Sequence, residues 1–110
     1  MQLDKELLKG SISLLILKLL SVREMYGYEI IREASRRSDR TFEFKEGTLY
    51  PALHQLERAG YLRADWRTGE NGRRRKYYSL TPRGQKMAEK RERGWTTFTR
   101  AVNAVLSHES

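Results

Sequence analysis

Cysteine is absent from this sequence, and histidine occurs only twice in 110 residues. The first absence excludes disulfides, thiolate zinc sites and thiol nucleophiles, and leaves the cytoplasm as the default compartment. The second leaves His54 and His108 as the only imidazoles, neither within a recognisable partner motif. No glycine-rich phosphate loop, metal-ligand cluster or carboxylate pair at catalytic spacing appears. The chain therefore reads as no enzyme, with no metal and no cofactor, and Asp39/Glu43 and Glu89/Glu92 read as solvated charges. Long apolar runs are missing too. The longest, Leu14 to Leu17, ends at Lys18, far short of the roughly 18 residues of a membrane span. The amino-terminal MQLDKELLKGS carries acids early and lacks a small-residue cleavage site, so no signal peptide is expected. No repeat, low-complexity tract or Pro/Ser-rich linker is present. At 38% apolar and 33% charged, the chain is one domain's worth, with one modest core and a large polar surface.

Charge is what the sequence has in excess. Lys and Arg number 22 against 14 acids, a net +8. Residues 1–55 are close to neutral, with 9 bases and 8 acids, whereas residues 56–110 hold 13 bases and 6 acids. Basic charge gathered on one half points to a polyanion, nucleic acid first and an acidic membrane surface second. Solubility alone is the plainer explanation, so the placement of the charges has to decide.

Periodicity predicts four helices and a hairpin. The first helix opens at Asp4, with Leu8, Ile12, Leu15, Ile16 and Leu19 at helical spacing and Leu7, Leu14 and Leu17 on a second side. A helix apolar on two sides needs cover from two sides, one of which a second subunit can supply. A second helix is expected from near Tyr26-Gly27-Tyr28 to about Ser38, stacking Tyr26, Ile30 and Ala34. Asp39 to Glu46 reads as a connection. The third helix starts after Gly47, with Thr48 as N-cap and Pro51 in the first turn. Leu49, Ala52, Leu53 and Leu56 form its inner stripe, Pro51, His54, Gln55 and Arg58 point away, and Gly60 ends it. Residues 61–80 then alternate with period two around Gly69-Glu-Asn-Gly72, a β-hairpin with Trp66 on the side of Leu62 and Ala64. Thr81 and Pro82 cap a last helix of some 25 residues. Its apolar face is Ala88, Trp95, Phe98, Val102 and Val105, with Arg91 in one slot, a stripe as narrow as a coiled-coil seam.

The order of elements describes a mainly α chain with a small β-hairpin: a winged helix-turn-helix over residues 1–80 and a long C-terminal helix over 81–110. The third helix has the two faces that major-groove entry requires, an apolar side to seat it and a polar side to touch bases. An ordinary surface helix has a polar face as well. The hairpin decides between them. Arg73, Arg74, Arg75 and Lys76 are consecutive on a tight turn, opposed there only by Glu70. Such a cluster repels itself, and a phosphate backbone relieves it. A charged edge strand guarded against aggregation is the alternative for the run. A winged helix serving as a protein-interaction module without DNA readout is the alternative for the whole, and the basic hairpin argues against it. RNA binding ranks low, because two strands offer no stacking platform.

Three motifs carry a resemblance. Glu46-Gly-Thr-Leu-Tyr-Pro-Ala-Leu-His-Gln-Leu-Glu-Arg-Ala-Gly-Tyr-Leu62 is similar to the signature of the PadR family of bacterial transcriptional regulators. Tyr26-Gly-Tyr-Glu-Ile30 and Gly72-Arg-Arg-Arg-Lys-Tyr-Tyr-Ser-Leu-Thr81 resemble two further motifs, in the family's order and spacing. The resemblance implies a homodimeric winged-helix regulator of double-stranded DNA, most often a repressor on a pseudo-palindromic operator, and the short subclass with one C-terminal helix. It implies that Thr48, Tyr50 and Pro51 approach the major groove, and that Arg73 to Lys76 approach phosphate or the minor groove. Pro82-Arg83 departs from the family, where an acid is frequent; this bears on the helix cap.

The resemblance also implies that the first and last helices pair across a two-fold axis, with Leu8, Ile12, Leu15, Trp95, Phe98, Val102 and Val105 at the contact. In multidrug-binding members a Trp at the place of Trp95 sandwiches a small aromatic effector. Here an aromatic at a seam is ordinarily core, so packing of Trp95 with Phe98 is the preferred reading and the ligand slot the other.

Overall fold

The computed structural model describes residues 5–107, with side chains described from Leu7 onward. Asp4, expected to open the first helix, and His108 lie outside the described residues. Helix α1 (Lys5–Val22) is followed by a two-residue strand β1 (Met25–Tyr26) and helix α2 (Gly27–Arg37). Helix α3 (Glu46–Arg58), strands β2 (Leu62–Thr68) and β3 (Arg74–Leu80), and helix α4 (Pro82–Leu106) complete the chain. The architecture is a winged helix-turn-helix with a long C-terminal helix, mainly α, as the order of elements predicts. No described helix is long and apolar enough to cross a membrane.

Two residues carry no periodicity, and β1 escapes a reading based on it. Its partners lie far off in sequence: Met25 faces Tyr78 and Tyr26 faces Tyr77 on β3. The sheet therefore has three antiparallel strands in the order β1-β3-β2, not a free-standing hairpin. Tyr26 belongs to β1 and caps α2 rather than stacking within it. Glu29 reaches back to accept from the Tyr26 N–H at 3.2 Å, which satisfies one amide that the helix start leaves free.

The apolar stripes meet in one core. Ile16, Leu17, Met25, Ile30, Leu49, Leu53 and Tyr78 are fully buried. Helix α1 runs through this core and is covered on two sides by its own chain, with Leu17 and Leu20 buried alongside Ile16 and Leu19; Leu7, near its start, is exposed. Phe44, from the α2–α3 connection, is buried and lies beside Phe42 with ring centroids 6.4 Å apart.

Helix α3 begins earlier than its sequence implies. Its N-cap is Lys45, not Gly47 or Thr48, and it has no side-chain cap bond. Pro51 thus sits at the sixth helical position rather than in the first turn, where its missing N–H leaves the Gly47 carbonyl without its helical donor. The far end follows the expectation. Gly60 takes φ +84, and its N–H donates to the Glu57 carbonyl while the Tyr61 N–H donates to Leu56, both at 3.0 Å. This paired closure needs a left-handed residue at that place, which glycine supplies without a Cβ penalty.

Thr81 caps α4 as predicted, its Oγ1 accepting from the Gly84 N–H at 3.0 Å and donating to the Gly60 carbonyl at 2.6 Å. One side chain therefore ties the end of α3 to the start of α4. Gly84 and Ala88 are buried against the body, and Lys18 of α1 pairs with Glu92 at 3.1 Å. Beyond that point α1 still borders α4, where Gly10, Ser13 and Leu14 share a groove with Gly94, Trp95 and Phe98, and Ala101 and Asn103 to Leu106 are exposed.

Candidate nucleic-acid interface

Helix α3 and the sheet enclose an open cleft of about 410 Å³. Tyr50 and His54 border it from α3; Trp66, Arg74, Arg75, Lys76 and Tyr78 border it from the sheet; Tyr26 and Gly27 close its inner end. No acidic residue among the described residues lines it. Of the residues expected at the interface, Tyr50, His54, Arg74, Arg75 and Lys76 are brought together here. Pro51, Gln55 and Arg58 lie on the same helix, exposed and facing away from the core. Thr48 is exposed on the first turn and borders a different groove, with Leu8, Lys9, Ile12, Glu43 and Lys45. Arg73 stands at the turn, where the hairpin is closed by Gly69 N–H to the Arg73 carbonyl at 2.8 Å.

Strand geometry spreads the basic run over different rings. Successive residues of a strand point to opposite faces, so Arg74 and Lys76 share one face and Arg75 takes the other. Each then finds an aromatic ring. Arg74 lies 5.4 Å from the Trp66 ring, Arg75 4.5 Å from Tyr26 and Lys76 5.4 Å from Tyr78. Cations over ring faces are attracted by the ring quadrupole and keep their charge. Of the three, Lys76 also meets a described carboxylate, Glu57 at 3.6 Å. Trp66 is 56% exposed rather than turned inward; opposite Lys76 in the register, it serves as a platform for Arg74. Burial raises the Tyr78 phenol above its ordinary pKa.

A second contact steadies the wing. Arg67, near the tip of β2, donates to both carboxylate oxygens of Glu24, the Nη2–Oε2 bond being 2.9 Å. It also donates to Asp65 at 3.1 Å and covers the Tyr77 ring at 4.9 Å. The hydrogen bond from Arg67 holds the Glu24 carboxyl below its usual range, and Glu24 and Asp65 together push the guanidinium up. On α2, hydrogen bonds from Arg36 foremost and Arg37 hold Glu33 at about 2. The Glu24–Arg67 pair joins residues 43 apart, and no local signal could have revealed it. Trp66 and Tyr26 did carry one: alternation placed the first, and the Tyr26-Gly-Tyr motif contained the second.

The residues expected at a subunit contact divide. Ile12 is 7% exposed, part of the core, and Leu8 and Leu15 are partly buried against that core. On α4, Val102 is half-buried, whereas Trp95, Phe98 and Val105 are 43%, 59% and 80% exposed. The Trp95 and Phe98 ring centroids are 5.8 Å apart. Both rings edge a groove between α1 and α4 that Gly10, Ser13, Leu14, Arg91 and Gly94 complete.

With this geometry in view, the chain compares with known proteins as follows. The model of the transcriptional regulator PadR-like family matches residues 16–90. A transcriptional regulator of Mycobacterium tuberculosis is 33% identical over 104 residues, covering 94% of each chain. The structure of a transcriptional regulator from Clostridium thermocellum superimposes with a TM-score of 0.83 at 33% identity, covering 91% of this chain and 97% of that one. A PadR-like transcriptional regulator from Bacillus cereus gives a TM-score of 0.82 at 28% identity, covering 96% of this chain and all of the other.

Proposed function

The chain belongs to the PadR-like family of transcriptional regulators, and from that premise we propose that it is a homodimeric repressor that binds a pseudo-palindromic operator. The observation that carries this reading is the acid-free cleft, where the outward face of α3 adjoins three wing cations held on aromatic rings. Residues 1–80 act as the DNA-binding part. Helix α3 enters the major groove, with Gln55 and Arg58 reaching base edges: Gln suits adenine N6/N7 and Arg suits guanine O6/N7. Thr48, Tyr50, Pro51 and His54 lie along the same groove wall. Arg73, Arg74, Arg75 and Lys76 take the phosphate backbone, and the counterions they release make binding steeply salt-dependent.

Residues 81–110 supply the dimer contact. Trp95, Phe98 and Val105 stand exposed on α4, and a second α4 covers them. The α1–α4 groove beside Trp95 offers a place for a small aromatic effector that relieves repression. The protein works in the cytoplasm, where its DNA is.

Charge reversal tests the DNA reading. Arg74→Glu with Arg75→Glu should weaken binding to every duplex, related or not, and should flatten the slope of log affinity against log salt by about two units or somewhat more. Unchanged affinity and slope would remove the wing from the interface and favour a scaffold that binds protein instead.

A further inference from the structure

Gly27 is the first residue of α2, is buried, and has a φ outside the left-handed region. Its backbone therefore gives no reason for glycine, and helix propensity favours alanine there. The reason lies across the cleft. A Cβ on residue 27 would come within 2.8 Å of Cζ and 3.0 Å of Cε1 of Tyr50, and closer still to the hydroxyl. Cζ and the hydroxyl lie on the axis of the Tyr ring flip, so turning the ring relieves nothing. Only a change of χ1, or a shift of α3 itself, makes room. Gly10, Gly47 and Gly94, by contrast, have open space where a Cβ would go.

The neighbouring residue faces the wing. Tyr26 pairs with Tyr77 on β3, their ring centroids 5.4 Å apart, and carries Arg75 at 4.5 Å. Residues 26 and 27 thus touch the wing on one side and α3 on the other. We infer that Gly27 is a positioning residue for DNA readout: by admitting the Tyr50 ring it sets the distance between α3 and the wing, and so the fit of both to one duplex. The inference rests on the DNA-binding reading above.

The test is a double-mutant cycle of the unaltered protein, Gly27→Ala, Tyr50→Leu and the pair. Affinity is measured on a duplex that the unaltered protein selects from a random pool, and on a scrambled duplex. Gly27→Ala should weaken the selected duplex about tenfold and the scrambled one less than about twofold, since non-specific binding is carried by charge. In the Tyr50→Leu background the same change should cost less than about twofold, because the overlap is gone. Equal losses in both backgrounds, or no loss from Gly27→Ala alone, would overturn the inference. If Gly27→Ala alone does not fold, a cooperative melt regained in the pair supports it, and a pair equally unfolded overturns it. Failure of the unaltered protein to select any duplex would overturn the DNA-binding reading itself, and the inference with it.

Discussion

Three cations of the wing are held by partners that keep their charge available. Arg74, Arg75 and Lys76 rest on rings rather than being neutralised by acids, apart from the long contact of Lys76 with Glu57. Arg67 is the exception, spent on Glu24 and Asp65 as a brace for the wing. Two carboxylates pay visibly in acid. Glu33 and Glu24 both have folded pKa values below the unfolded one of about 4.5. Their stabilisation is therefore complete above roughly pH 5 and fades as pH falls, for Glu33 toward about 2. The melting midpoint should drop over that window, and Glu33→Gln should flatten part of the drop in a pH series of thermal melts. Glu24 is exposed, and Glu33 is partly covered but pairs with an exposed Arg36, so the effect shrinks in high salt. At Trp95, planar aromatic cations should quench indole emission if the groove is a ligand slot, and Trp95→Ala should abolish the quenching. Trp66 also emits, so quenching that survives Trp95→Ala would place the dye elsewhere.

At the scale of elements, local chemistry was legible and pairing was not. The stripe Leu49, Ala52, Leu53, Leu56 could be read from spacing because a helix buries one face, and all four are buried. Gly60 and Thr81 could be read because their caps depend on a single residue's conformation or hydroxyl. Removing either kind of anchor has a defined cost. Leu53→Ala should destabilise by about 2–5 kcal/mol through lost transfer energy and a cavity. Thr81→Ala should cost about 1 kcal/mol, lowering the melting midpoint by a few degrees at matched protein concentration. What escaped was non-local. Strand β1 exists only because Tyr77 and Tyr78 lie opposite it. The pairing of wing cations with rings depends on register, which places Trp66 across from Lys76. The start of α3 at Glu46 escaped because Thr48 is a better cap by type than Lys45, and the preceding connection overrides type. Ile12, on the same helical stripe as Leu8 and Leu15, is buried in the core of its own chain. In the candidate interface, the outward residues of α3 and the basic run could be named from sequence, while the cleft that unites some of them with Tyr26, Trp66 and Tyr78 could not.

At the scale of the whole molecule, one chain is more extended than its length requires. Its radius of gyration is 15.6 Å and its extents are 62 × 32 × 21 Å, whereas a compact chain of this length has a radius of about 13 Å. Helix α4, 25 residues and about 37 Å long, contributes to that extent and carries the exposed Trp95, Phe98 and Val105. Light scattering at micromolar concentration should give twice the 13.0 kDa of one chain, and a monomer would contradict the dimer. In the proposed dimer, two copies related by a two-fold axis would present two α3 helices to successive major grooves, roughly 34 Å apart. The most direct test of that arrangement is a footprint of the purified protein on the DNA upstream of its own gene, at physiological salt with competitor DNA. Two protected half-sites about one helical turn apart are the predicted result. A single protected site, or a smear that competitor removes, would contradict it.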